Sequence, residues 1–296
     1  MLPALPPNRL YTTHESLTVQ GTNRNLSPAL WKHIGGSGMS PDGYENGHMF
    51  CDDFMGFYPV TVTTAAGQLQ PNNGYFAYIE ADATVGSILP VATEVGGVIR
   101  FLTSTDAGDG DDHDTTLTSG GNVAGLAKID VTNGKRFIFE ARARFTSVTD
   151  GDGSIFIGLG EEGLAAANTP QAAATHALSS DDLIGFQILE TDNNALTFKY
   201  RVNGQTAVSV LTYGTALTAA TWYKMGFVYD PSQPASKHLR VFIDNAELST
   251  AVTKTATEAA TFPGGEELAL LASIKGSAVN DPQSFDLDWW AVWQED

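Results

Sequence analysis

From Phe50 onward, apolar and polar residues alternate in short runs separated by turn-forming residues, the period-two pattern of strands with one buried face. In 137–145, Phe137, Phe139, Ala141, Ala143 and Phe145 fall on one face, and Glu140, Arg142 and Arg144 on the other. In 196–202, Leu196, Phe198, Tyr200 and Val202 point inward while Lys199 and Arg201 point outward, and Asn203-Gly204 follows as a hairpin turn. Leu239, Val241 and Ile243 alternate with Arg240 ahead of a second turn at Asp244-Asn245. Phe285, Leu287, Trp289, Ala291 and Trp293 form a further stripe. Strands are also predicted over 97–103, 154–159, 182–189, 222–229 and 268–274. Strands this short and numerous, without amphipathic helices between them, predict an all-β sandwich rather than a parallel α/β sheet. Pro170 turns 164–177 toward a loop.

Residues 1–49 break the pattern. They hold Pro3, Pro6, Pro7, Pro28 and Pro41 among many Asn, Ser, Thr and Gly residues, with room for one helical turn near 29–33. A segment without a core of its own orders by lying on something else. Leu10, Tyr11, Leu26, Leu30, Trp31 and Ile34 are too apolar for a linker. The expected organisation is therefore an extended arm over 1–49 and a single sandwich over 50–296.

Charge narrows the function. Asp and Glu number 34 against 16 Lys and Arg, a formal net charge of −18. Phosphate backbones need clustered cations, so neither nucleic acid nor an anionic membrane surface is the expected partner. The single cysteine, Cys51, has no partner for an internal disulfide. MLPALPPN at the start carries neither a basic n-region nor an apolar h-region. No apolar run is long enough to span a bilayer.

Catalytic patterns are thin. Glu190-Thr191-Asp192-Asn193-Asn194 lacks the third acid of a Glu-x-Asp-x-(x)-Glu strand, and Asp286-Leu287-Asp288 places two carboxylates on one face with Trp290 next in line. No Gly-x-Ser-x-Gly elbow occurs, and no pair of the six histidines has HxxxH spacing. The chain is expected not to be an enzyme. The Asp-rich stretch 106–114 could ligate Ca²⁺ through Asp109, Asp111 and Asp112, although it does not follow EF-hand order, and a solvated loop is the plainer expectation. No other cofactor is expected. If the strands carrying them share a sheet, Arg142, Arg144, Lys199 and Arg201 form a basic stripe suited to an acidic partner or a glycan.

Taken in order, Gly96-Gly97-Val98-Ile99-Arg100, the 137–145 strand, Ile155-Phe156-Ile157-Gly158-Leu159, Thr221-Trp222-Tyr223-Lys224, Val241-Phe242-Ile243-Asp244-Asn245 and Phe285-Asp286-Leu287-Asp288-Trp289-Trp290 resemble the concanavalin A-like, or laminin-G-like, jelly roll. Leu30-Trp31, Ile34, Pro41, Gly43 and Phe50-Cys51-Asp52-Asp53-Phe54 resemble the entry segment of sandwich-bearing virion proteins of tailed bacteriophages. That second resemblance implies a structural capsid decoration protein, assembled in the host cytoplasm. It would contact the major capsid protein through Leu10, Tyr11, Leu26, Leu30 and Trp31, and neighbouring copies of itself. A lectin-like glycan-binding module, with Trp290 or Tyr213 as exposed aromatics, is the alternative. A polysaccharide-cleaving enzyme is a third reading.

Overall fold

A computed structural model describes residues 26–32, 47–54, 60–61, 68–69, 78–81, 87–94, 97–103, 114–118, 125–148, 153–161, 164, 170–171, 176–189, 195–276 and 283–296. Among them are eighteen strands and two one-turn helices. The strands are β1 (Gly47–Asp52), β2 (Val60–Thr61), β3 (Gln68–Leu69), β4 (Tyr78–Ala81), β5 (Ser87–Pro90), β6 (Ile99–Leu102), β7 (Asp114–Thr118), β8 (Ala127–Lys128), β9 (Phe137–Phe145) and β10 (Ser154–Glu161). They continue as β11 (Leu183–Ile188), β12 (Leu196–Arg201), β13 (Val208–Thr212), β14 (Trp222–Tyr229), β15 (Leu239–Ile243), β16 (Ala246–Val252), β17 (Glu267–Lys275) and β18 (Ser284–Glu295). Helix α1 is Pro28–Trp31 and α2 is Lys254–Thr257.

The strands make two nine-stranded antiparallel sheets. The first runs β16-β15-β14-β9-β18-β6-β5-β2, with β1 also on β18. The second runs β13-β12-β11-β10-β17-β7-β4-β3, with β8 also on β17. Phe137, Phe139, Phe145, Phe198, Phe227, Leu270, Phe285 and Trp290 belong to the core between the sheets. All nine strands predicted from periodicity are present. The nine others are mostly too short, or too polar on both faces, to show alternation. Asp244 and Asn245 both take left-handed φ values of 47° and 67°, as the two-residue β15–β16 hairpin requires.

The last strand departs from its predicted stripe. Between Leu287 and Trp289 the β18–β9 register shifts at a bulge. An extra residue reverses the facing of everything beyond it. Phe285, Leu287, Trp290 and Val292 therefore enter the inter-sheet core, while Trp289, Ala291 and Trp293 pack on the outer face of the first sheet.

That outer face has a cover. Leu26, Leu30 and Trp31 pack there against Ile138, Val228, Phe242, Trp289, Ala291 and Trp293. The Trp31 indole Nε1–H donates to Glu140 Oε2 at 2.5 Å, the Ser27 amide donates to the same oxygen at 3.1 Å, and the Ala29 amide donates to Asn245 Oδ1 at 2.7 Å. Gly226 on β14 makes the close approach workable, since a Cβ there would lie 2.5 Å from Leu30 Cδ2 and 2.6 Å from the Phe139 carbonyl. Of the residues expected to contact a capsid, Leu26, Leu30 and Trp31 thus have their apolar surface buried on the chain's own sheet, and Leu10 and Tyr11 lie outside the described residues.

Candidate functional site

Beside this cover, the outer face of the first sheet carries a charged cluster. Arg142 and Arg144 project from β9, Asp286 and Asp288 from β18, Arg100 from β6 and Trp222 from β14. The β9–β18 register sets Asp286 opposite Arg144, and the β18–β6 register sets it opposite Arg100. The bulge turns Asp288 toward Arg142, whose Nη1 donates to Asp288 Oδ2.

Asp286 is the keystone. Arg100 donates to it from Nε at 2.6 Å and from Nη2 at 3.0 Å, and Arg144 donates from Nε at 3.0 Å and from Nη2 at 2.6 Å. Arg100 thereby grips both oxygens in fork geometry, and Arg144 closes two N–H groups on Oδ2 alone, so two guanidiniums are fixed on one carboxylate. The side chains of Asp286 and Asp288 are 0% exposed, while Arg100 is 39%, Arg142 30% and Arg144 18% exposed. The anions lie beneath and the cations reach the surface. The hydrogen bonds that Arg100 donates to Asp286 hold its guanidinium above its ordinary pKa. Glu94, on the turn after β5, closes the cluster from outside with an ion pair of 2.8 Å to Arg144 Nη1.

Trp222 completes it. The Arg142 and Arg144 guanidinium carbons each lie 4.5 Å from the indole centroid, within cation–π range. Of the five tryptophans, Trp31, Trp289, Trp290 and Trp293 are buried and only Trp222 reaches solvent. Trp290, expected as an exposed aromatic, is fully buried beside Phe54 because the bulge turns it inward, and Tyr213 is half-buried at the core margin.

The basic stripe expected from Arg142, Arg144, Lys199 and Arg201 does not form. Its first two members are on the first sheet and the last two on the second. Lys199 Nζ donates to Gln187 Oε1 at 3.0 Å, and Arg201 donates to the carbonyls of Leu178 and, at 2.7 Å, Gln205. Alternation assigns a face to each residue but not a sheet to each strand, so the two pairs could not be separated from the sequence. The same limit hid the site. Arg100, Glu94 and Trp222 lie far from β9 and β18 in sequence, and only strand order joins them.

Two further groupings lie on the second sheet. Ser154 Oγ and His176 Nδ1 are 3.0 Å apart with both residues buried, so the contact ties His176 to β10. At the end of β10, burial and the neighbouring Asp181 and Asp182 push the Glu161 carboxyl up to about 7. The Asp182 amide donates to Glu161 Oε2 at 3.2 Å. Among the described residues no group of His, Cys, Asp and Glu could hold a metal ion, and Asp109, Asp111 and Asp112 lie outside them. No helix among the described residues is long and apolar enough to cross a membrane.

No protein-family model and no curated protein matches the chain. Solved structures do. An endo-1,3-β-glucanase from Streptomyces sioyaensis superposes with a TM-score of 0.51 at 12% identity, over 88% of this chain and 100% of that one. A protein of unknown function from Shewanella oneidensis MR-1 gives 0.47 at 16% identity, over 88% and 96%. The β-glucanase of Bacillus licheniformis gives 0.45 at 13% identity, over 84% and 99%. The fold is the concanavalin A-like jelly-roll sandwich. The expectation that the chain is not an enzyme is corrected by the first of these: the sandwich is one that carries an endo-glucanase, and the lack of a Glu-x-Asp-x-(x)-Glu strand removes one catalytic arrangement rather than catalysis. Nothing in these similarities bears on a virion or a capsid partner.

Proposed function

We propose that this chain recognises glycans, and that the open part of the first sheet's outer face is its binding surface. One observation carries the reading: the single solvent-reaching tryptophan is held against two guanidiniums that buried aspartates lock in place. Sugar recognition needs an amphipathic aromatic surface beside donors whose orientation is fixed in advance, because a flexible donor loses side-chain entropy on every hydroxyl it binds. Trp222, Arg142, Arg144 and Arg100 meet that description. The fold shared with an endo-1,3-β-glucanase supports a saccharide as the ligand class. An anchoring role for the arm draws instead on Leu26, Leu30 and Trp31, which are already consumed within the chain.

The test is a glycan array followed by calorimetry on the best hit. Trp222→Ala is expected to weaken binding roughly two- to tenfold, as loss of an aromatic contact does. Unchanged affinity, or an array without hits, removes the reading. Assaying the bound glycan for newly released reducing ends tells cleavage from binding.

A further inference from the structure

Arg100 and Arg144 together carry two positive charges but share one buried carboxylate, Asp286. The second charge is answered by Glu94, which differs from Asp286 in every relevant respect. It stands on a turn rather than a strand, is 33% exposed rather than 0%, and makes one ion pair to Arg144. Its neighbours Ala92 and Thr93 are exposed. Arg142 is matched separately by Asp288. The permanent part of the Arg100–Arg144 pair therefore has one cation in excess, with a removable side chain as its counter-ion.

Resting on the glycan reading, we propose that the ligand is an acidic saccharide, and that its carboxylate takes the place of the Glu94 carboxylate on Arg144, beside Arg100. Glu94 occupies the position such a group would occupy, and the Arg144 Nη1 that it engages, left outside the bonds to Asp286, already points at a carboxylate oxygen. The sugar ring bearing the carboxylate then lies over the Trp222 side of the cluster. Glu94 has two effects. It keeps the guanidiniums compensated when no ligand is bound, and it sets a threshold that a neutral sugar gains nothing by crossing. On a chain with a net charge of −18, long-range electrostatics repel an anionic ligand, so selection rests on this local pair, and weak screening at low salt should hinder encounter rather than help it.

The experiment uses calorimetry on the full chain with three probes: an oligogalacturonide, a neutral galacto-oligosaccharide of equal length, and a poly-glutamate peptide. The oligogalacturonide is expected to bind and the other two to bind at least tenfold more weakly, about 1.4 kcal/mol. Glu94→Gln should tighten oligogalacturonide binding roughly two- to fivefold, the range an exposed ion pair supplies. Arg100→Gln should abolish the preference for the acidic sugar, with Arg144 still holding Asp286 so that the buried carboxylate keeps a partner. If the neutral sugar binds as well and Glu94→Gln changes nothing, the acidic-ligand proposal fails while the glycan reading stands. If neither sugar binds, both fail. If the peptide binds as tightly as the oligogalacturonide, the site recognises carboxylates without a sugar and the proposal is overturned.

Discussion

Glu140 has its carboxylate fully removed from water, and burial pushes its pKa up against the hydrogen bonds from Ser27 and Trp31 that favour the charged form. Sequence alternation places it correctly on the outward face of β9 but says nothing of what lies above it. The answer comes from more than a hundred residues upstream. Glu140→Ala would orphan two buried donors, the Ser27 amide and the Trp31 indole, at a cost of about 1–3 kcal/mol for each donor left unsatisfied. Urea denaturation should show the loss, with Glu140→Gln closer to wild type because it keeps an acceptor. Glu161 gives a pH signature. Its folded pKa, about 7, lies above the ordinary 4.5. Its contribution to stability is therefore complete below the unfolded value and is lost as pH rises through the folded one. Thermal melts at about pH 5 and about pH 8 should show wild type losing stability between them, and Glu161→Gln should flatten that decline.

At the scale of elements, the short segment around α1 has one turn of helix and no stability of its own. It is held by what it covers. Gly226→Ala would drive a methyl group into Leu30 and into the Phe139 carbonyl. The expected loss is about 1–3 kcal/mol, the usual cost of overpacking, with faster tryptic cleavage at the exposed Lys32 as its local readout. The strands show what could be read from the chain and what could not. β9, β12 and β15 were legible because inward Phe, Tyr, Leu, Val and Ile residues alternate with outward polar ones. β18 was legible as a strand but not in its facing, since Asp288 looks like one more outward acid until the bulge makes it the odd residue. Within the site, Arg142 and Arg144 were found by their outward position. Their carboxylate partners read in sequence only as two acids on one strand face, because pairing register is not encoded in local pattern.

For the molecule as a whole, the outer face of the first sheet is divided between a covered apolar part and an open charged part. A chain lacking residues 1–31 would lay bare Ile138, Val228, Phe242, Trp289 and Trp293, a contiguous apolar surface. Light scattering and apolar-dye fluorescence should both rise on that truncation; a monodisperse truncated chain without dye binding would contradict the covering role. The place of β18 has a temporal consequence. It is the last strand in chain order, yet it lies between β9 and β6. Asp286 meets Arg144 across 142 residues of sequence and Arg100 across 186. Contacts so distant close slowly, because the entropy of a long loop is lost before any pairing returns it. The hairpins β14–β15–β16 and β10–β11–β12 can assemble early from neighbouring sequence. The arginines of β9 and β6 must then wait without their carboxylates until β18 inserts, so the charged cluster is completed only by the same step that closes the core.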